Sequence, residues 1–222
     1  MAVARSMLSA KDLKSSPAVT RLLTEYRLRA VEIKQKLRDF HEVPEEEYFY
    51  ELLYCLLTPQ SSAVTCAAAV EELRRRNFAG TSLDPEPILR KPKQGYVRFH
   101  RMKARYLLEA KLRFSEIQEK LRNEVNTYQL RQWLVKNVRG LGMKEASHFL
   151  RNIGRTDVVI LDRHILRNMV HYGVIKETPR TLTVKKYLEL EEQFNKFARS
   201  VGIPPDELDL LWWSQETGFI LK

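Results

Sequence analysis

The chain is poor in the residues that build disulfide frameworks and metal clusters. Its 222 residues include two cysteines, Cys55 and Cys66. Two thiols cannot assemble a four-cysteine cluster or zinc site, and nothing calls for an oxidising compartment. Both lie in apolar helical runs, so they are expected to be buried packing residues. Long apolar runs are missing as well: no stretch approaches the roughly 20 residues that span a bilayer. The first residues carry no signal-peptide apolar core, so a soluble, intracellular chain without membrane association is expected. There is no internal repeat, no low-complexity tract, no convincing linker and no alternating strand pattern of useful length. Acidic residues are outnumbered, 28 against 38 lysines and arginines, for a formal charge of +10 and a pI near 9.6. That balance favours an anionic partner, nucleic acid above all, although basicity alone is shared by many unrelated proteins. An apolar content of 44% is ordinary for a globular protein and enough for a real core.

What is present reads almost entirely as helix. Pro17 to Phe40 has apolar residues at three- and four-residue spacing, and Glu45 to Leu57 is apolar enough to be mostly buried. Thr58-Pro59-Gln60-Ser61 breaks the pattern, with Ser61 or Ser62 the N-cap of a third helix through about Arg76. Asn77 to Gln94, with its prolines, reads as loop around one short helix. Tyr96 to about Arg122 is a long basic helical stretch, expected to bend or break near Arg101. Thr127 to Asn137 and Lys144 to Asn152 flank a Gly140-Leu141-Gly142 hairpin. Asp162 caps a helix to about Tyr172, and Val184 to Val201 and Asp206 to Thr217 close the chain. The expected fold class is all-α: one unit over residues 1–222, made of two interleaved helical lobes, with a helix-hairpin-helix motif at about 127–153 and the cleft between the lobes.

The stretch from Leu134 to His164, LVKNVRGLGMKEASHFLRNIGRTDVVILDRH, concentrates the chemistry. A Gly-x-Gly turn brings backbone close to another surface, and its N–H groups with the positive end of the next helix suit a phosphate oxygen. Taken alone, Gly140 and Gly142 are better described by an αα-hairpin with a glycine C-cap and no ligand. Lys144 shifts the balance, because the helix dipole disfavours a cation at that end. The dipole and desolvation are both expected to push its amine toward a neutral nucleophile. Asp162 lies 18 residues beyond Lys144, just after the apolar run Val158-Val159-Ile160-Leu161. It is an N-cap by position, and a carboxylate fixed at a helix start is also rigid enough to serve chemistry. Phosphate grip, amine and carboxylate together are the parts of a base-excision site.

This combination resembles the helix-hairpin-helix DNA glycosylase superfamily. YELLYCLLTPQSSAVTCAAAV (Tyr50 to Val70), VRFHRMKARYLLEA (Val97 to Ala110), GLGMKEASHFLRNIG and the terminal LDLLWWSQETGFILK narrow it to the compact, second-type 8-oxoguanine DNA glycosylases. The similarity runs from about Glu45 to Lys222. The iron–sulfur branch of the superfamily needs four cysteines near the C-terminus, which this chain lacks.

The resemblance implies a bifunctional glycosylase and AP lyase acting on duplex DNA that contains oxidised guanine. Lys144 falls on the nucleophile and Asp162 on the catalytic aspartate. Phe99 and Trp213 fall on the aromatic sandwich for a flipped purine, and Lys222 on a lesion contact made by the chain terminus. Trp212 and Trp213 are neighbours on one helix, so at most one of them faces the pocket. Gln60 falls on the polar plug that fills the gap a flipped base leaves, where a plain turn residue is the alternative. Gly140 and Gly142, with Arg98, Arg101, Lys103 and Arg105, are the candidate phosphate contacts, each arginine or lysine taken alone being more readily a solvated surface charge than a contact. His148, His164 and His171 show no metal-ligand spacing. No cofactor or catalytic metal is required, and a monomer is expected. Two rivals stay open: a glycosylase of the superfamily for another damaged base, and a non-catalytic module that only grips backbone.

Overall fold

Residues 16–91 and 95–217 are described by a computed structural model, and they form helices and connecting turns with no strand among them. The order is α1 Pro17–His41, a 3-10 turn Glu45–Glu47, α2 Tyr48–Leu57, α3 Ala63–Arg75, α4 Glu86–Leu89 and α5 His100–Leu112. It continues with α6 Phe114–Asn123, α7 Thr127–Asn137, α8 Met143–Asn152, α9 Arg163–His171, α10 Val184–Val201 and α11 Pro205–Thr217. Helix starts follow local chemistry. Asn126 accepts a hydrogen bond from Gln129 N–H (3.0 Å), Thr183 from Lys186 N–H (3.2 Å), and Asp162 caps α9. Gly202, at φ +76°, ends α10 in the left-handed conformation that glycine adopts without penalty.

The chain divides into two units. One is continuous, Phe40–Val158, and is built around α2, in which every residue except Tyr48 and Tyr50 is buried. Helices α3, α5 and α8 pack on α2, and α7 packs on α8. Cys55 and Cys66 both belong to its apolar core and are free thiols. The other unit joins the chain up to Asp39 with the chain from Val159 onward. Its α9 and α10 pack on α11, and α1 is tied to α11 by polar contacts, Tyr26 Oη to Glu207 (2.6 Å) and Arg29 to Ser214 Oγ (2.9 Å). Trp212 is fully buried there, stacked parallel to Tyr172 at 5.2 Å and edge-on to Phe194.

The structure corrects two readings of the sequence. The basic stretch does not bend near Arg101; helix begins at His100 and breaks at Arg113 (φ −104°, ψ 6°). No glycine or proline marks that break, and the Arg113 guanidinium closes it by bonding Glu116 and the Asn137 carbonyl. Ser62 occupies the N-cap position of α3 without a side-chain cap bond. Ser61 is no cap either, because its hydroxyl oxygen accepts from Arg98 N–H and from Lys103.

Candidate active site

The hairpin joins α7 to α8, and its two glycines do different work. Gly140 has φ +97°, and a Cβ there would lie 2.5 Å from Tyr106 Cδ2 and 3.0 Å from Leu56 Cδ2. It is glycine for both conformation and packing. Gly142 has φ −91°, open to any residue, and a Cβ would meet only the mobile end of Glu145 at 3.0 Å. Leu141 between them is buried in the core and pins the turn. Under the hairpin, Arg131 on α7 donates to Ser147 Oγ on α8 (3.0 Å), and Asn152 donates to Glu51 on α2 (3.1 Å). These buried bonds fix α8 from its middle to its end.

Lys144 stands on the first turn of α8 with 27% of its side chain exposed, its amine 3.4 Å from Glu145 Oε1. The other oxygen of Glu145, Oε2, accepts from Gly142 N–H at 3.3 Å, which is one half of a capping box. The Gly142 N–H expected to hold a phosphate is therefore already engaged by the Glu145 carboxylate. The charge of Lys144 reaches across to α2: it opposes the strong upward push that burial, and then Glu51, give the Cys55 thiol.

Gln60 and Phe99 share an uncommon backbone. Both are exposed, at φ 55° and φ 59°, a region that side-chain-bearing residues seldom adopt. Phe99 is 49% exposed, with the Arg98 guanidinium 5.6 Å from its ring. Arg98, Arg101 and Arg105 are exposed, Arg101 lying 3.5 Å from Glu86. Lys103 is not a surface cation. It is 2% exposed, and its amine donates to the carbonyls of Leu57 and Pro59 (2.7 Å each) and to Ser61 Oγ (3.0 Å). Burial pushes its pKa down to about 8, with the Lys144 and Arg98 charges adding to the fall and Cys66 and Glu145 opposing it. This role was open to sequence reading: Lys103 falls on the same helical face as Leu107 and Ala110, where a solvated lysine does not belong.

In the second unit, Asp162 is the N-cap of α9, and its Oδ1 accepts from His164 N–H (2.7 Å) and Ile165 N–H (2.9 Å). The preceding run Val158 to Leu161 is buried and has no strand partner among the described residues. Its backbone is satisfied by side chains instead. Val159 N–H donates to Glu191 (2.9 Å), Ile160 N–H to Asp209 (3.2 Å) and Leu161 N–H to Tyr187 Oη (3.1 Å), while Tyr187 O–H donates to the Val159 carbonyl (2.6 Å). Glu191, Asp209 and Tyr187 thus hold the segment that delivers Asp162, and no local motif announced them. Trp213 is half-buried, while its neighbour Trp212 packs inside. Lys222 lies outside the described residues. His148 is buried edge-on to Tyr54, and the His164 ring sits between the guanidiniums of Arg163 and Arg167. Among the described residues no group of three or more His, Cys, Asp or Glu side chains is arranged to hold a metal, and no helix is long and apolar enough to cross a membrane.

An all-helical chain with a Gly-x-Gly hairpin, a lysine on the first turn beyond it and an aspartate capping the next helix has the parts of a helix-hairpin-helix DNA-repair glycosylase. Comparison with known proteins narrows the class. A family model described as 8-oxoguanine DNA glycosylase matches residues 33–203. A Fusobacterium nucleatum 8-oxoguanine DNA glycosylase/AP lyase is 38% identical over 209 residues, covering 89% of this chain and 94% of the relative. The crystal structure of the Methanocaldococcus jannaschii 8-oxoguanine DNA glycosylase superposes with a TM-score of 0.81 at 34% identity, covering 92% of this chain and 96% of that one. The same archaeal enzyme in complex with a 15mer DNA containing 8-oxoguanine superposes with a TM-score of 0.76 at 33% identity, covering 96% and 97%. The chain belongs to the 8-oxoguanine DNA glycosylase family, enzymes of DNA repair.

Proposed function

We propose that the protein excises 8-oxoguanine from duplex DNA and cleaves the resulting abasic site, with Lys144 as nucleophile and Asp162 as the carboxylate that stabilises the sugar cation. The carrying observation is Lys144 itself, a partly shielded amine beside the hairpin at a helix end that disfavours a structural cation. In this reading the neutral amine attacks C1′ of the deoxyribose, the C1′–N9 bond breaks, and the base leaves with the bonding pair. Asp162 offsets the positive charge that develops on the sugar. The C1′–O4′ bond then opens, its electron pair and a proton going to the ring oxygen, and the C1′–N bond becomes the double bond of a Schiff base. Loss of a C2′ proton and cleavage of the C3′–O bond cut the strand 3′ to the site.

The flipped base stacks on Phe99 and Trp213, Gln60 fills the gap it leaves, and Lys222 contacts the lesion. Exposed Arg98, Arg101 and Arg105 hold phosphates, as does the hairpin backbone. Glu145 must release Gly142 N–H for a phosphate to reach it. The protein acts as a monomer on double-stranded DNA. Borohydride trapping on a duplex containing 8-oxoguanine tests the assignment. A covalent complex is expected from wild type and none from Lys144→Gln; trapping that persists in the variant removes Lys144 from this role, and no release of 8-oxoguanine by wild type overturns the substrate.

A further inference from the structure

Gln60 and Phe99, 39 positions apart in the sequence, are the two exposed residues of the Phe40–Val158 unit assigned to base extrusion and stacking, and both sit on left-handed backbone. Such conformations persist only where the surroundings over-determine them. One side chain does that for both. The Lys103 ammonium is bonded to the carbonyls of Leu57 and Pro59 and to Ser61 Oγ, on either side of Gln60. Ser61 Oγ also accepts from Arg98 N–H at 3.0 Å, the residue directly before Phe99. Lys103 N–H in turn donates to the Phe99 carbonyl at 3.0 Å, so the backbone and the amine of one residue grip both loops. Three acceptors converging within 2.7–3.0 Å suit the three donors of an ammonium; a planar guanidinium is too large and wrongly shaped for a site 2% exposed.

We propose that Lys103 is a positioning residue for excision: it locks the Gln60 turn and the Phe99 turn to each other, so that plug and stacking ring are preset before DNA arrives. The inference rests on the roles proposed above for Gln60 and Phe99. Lys103 touches no reacting atom; it acts through the two turns, and preset geometry is what a substituted Lys103 would lose.

The test compares Lys103→Met, Gln60→Ala and the double variant after thermal denaturation has verified folding. Amide exchange at Arg98 is read first, because it needs no substrate: faster exchange in Lys103→Met supports the lock, and unchanged exchange overturns it. Single-turnover release of 8-oxoguanine at saturating enzyme is read next. The expected result is a loss of about tenfold to hundredfold in Lys103→Met, little change in borohydride trapping on a duplex with a preformed abasic site, and no further loss when Gln60→Ala is added. A folded Lys103→Met that excises at the wild-type rate, or losses that multiply in the double variant, overturns the proposal. If wild type releases no 8-oxoguanine, the substrate reading fails while the exchange result still decides whether the lock exists. Should Lys103→Met not fold, Ser61→Ala removes the shared acceptor alone, and the same exchange and excision criteria apply to it.

Discussion

Some candidate residues of the two units stand on opposite kinds of backbone. In Phe40–Val158, Gln60 and Phe99 have positive φ on turns tied together through Lys103 and Ser61, while Gly140 has a positive φ that glycine adopts freely. In the other unit, Asp162 has φ −88° and is held by two hydrogen bonds to its own helix, and Trp213 lies within a regular helix. The difference teaches where function and stability can be separated. On the strained side a substitution disturbs the support and the site together. On the capped side the chemistry of one atom can be changed while the backbone stays.

Asp162→Asn should be the sharpest demonstration. Asparagine caps helices as well as aspartate does, so stability should change by less than about 1 kcal/mol from the lost charge at the helix start. Base release should slow by about 10²–10³-fold, the usual effect of removing one charge-stabilising group. Single-turnover excision beside a urea unfolding curve checks both, and an Asp162→Asn that excises normally ends the assignment.

The hairpin offers the converse. Gly140→Ala forces a Cβ to within 2.5 Å of Tyr106 at a strained φ, and should destabilise by about 2–4 kcal/mol with DNA binding lost alongside. Gly142→Ala, on ordinary backbone, should cost under about 1 kcal/mol. Equal effects from the two would erase the distinction drawn between them.

Tyr187→Phe probes whether the capped unit has a weak point of its own. It leaves Leu161 N–H and the Val159 carbonyl without the Tyr187 hydroxyl inside the protein, at a cost of about 1–3 kcal/mol. Excision should fall with it, because the segment it braces presents Asp162. Normal stability and activity in this variant would leave the support of Asp162 to its helix cap and to Glu191 and Asp209.

A last effect is one of pH. Lys103 has its pKa pushed from 10.5 down to about 8 by burial. Between those values the unfolded chain binds the extra proton, so the stability of wild type relative to Lys103→Met should rise across the window and level off above it. Urea midpoints of both proteins at about pH 7 and about pH 10 give the difference. A difference that falls with pH would mean that the buried amine is not the perturbed group.

Much of this was legible in the chain. The helices, the hairpin at 140–142 and the cap at Asp162 follow from spacing and residue type, and adjacency on one helix separates Trp212 from Trp213 without saying which is inward. Lys103 was read as a phosphate contact or a solvated surface charge because it stands among the basic residues Arg98, Arg101 and Arg105, which are exposed. The break at Arg113 was missed because an arginine carries no turn signal. Gly140 and Gly142 looked equivalent because spacing says nothing of what a Cβ would strike.

By itself the sequence determined the all-helical class, the hairpin with its lysine and the capped aspartate, because periodicity, capping and turn chemistry act within one helical turn; the family came from the resemblance of its motifs. Only the tertiary structure decided that Lys103 binds carbonyls 44 and 46 residues away, and that Tyr187, Glu191 and Asp209 satisfy the run before Asp162. Burial leaves such polar groups no water to turn to, so they must find partners wherever the fold brings them. Those partnerships are set by distance in space, which spacing along the chain does not encode.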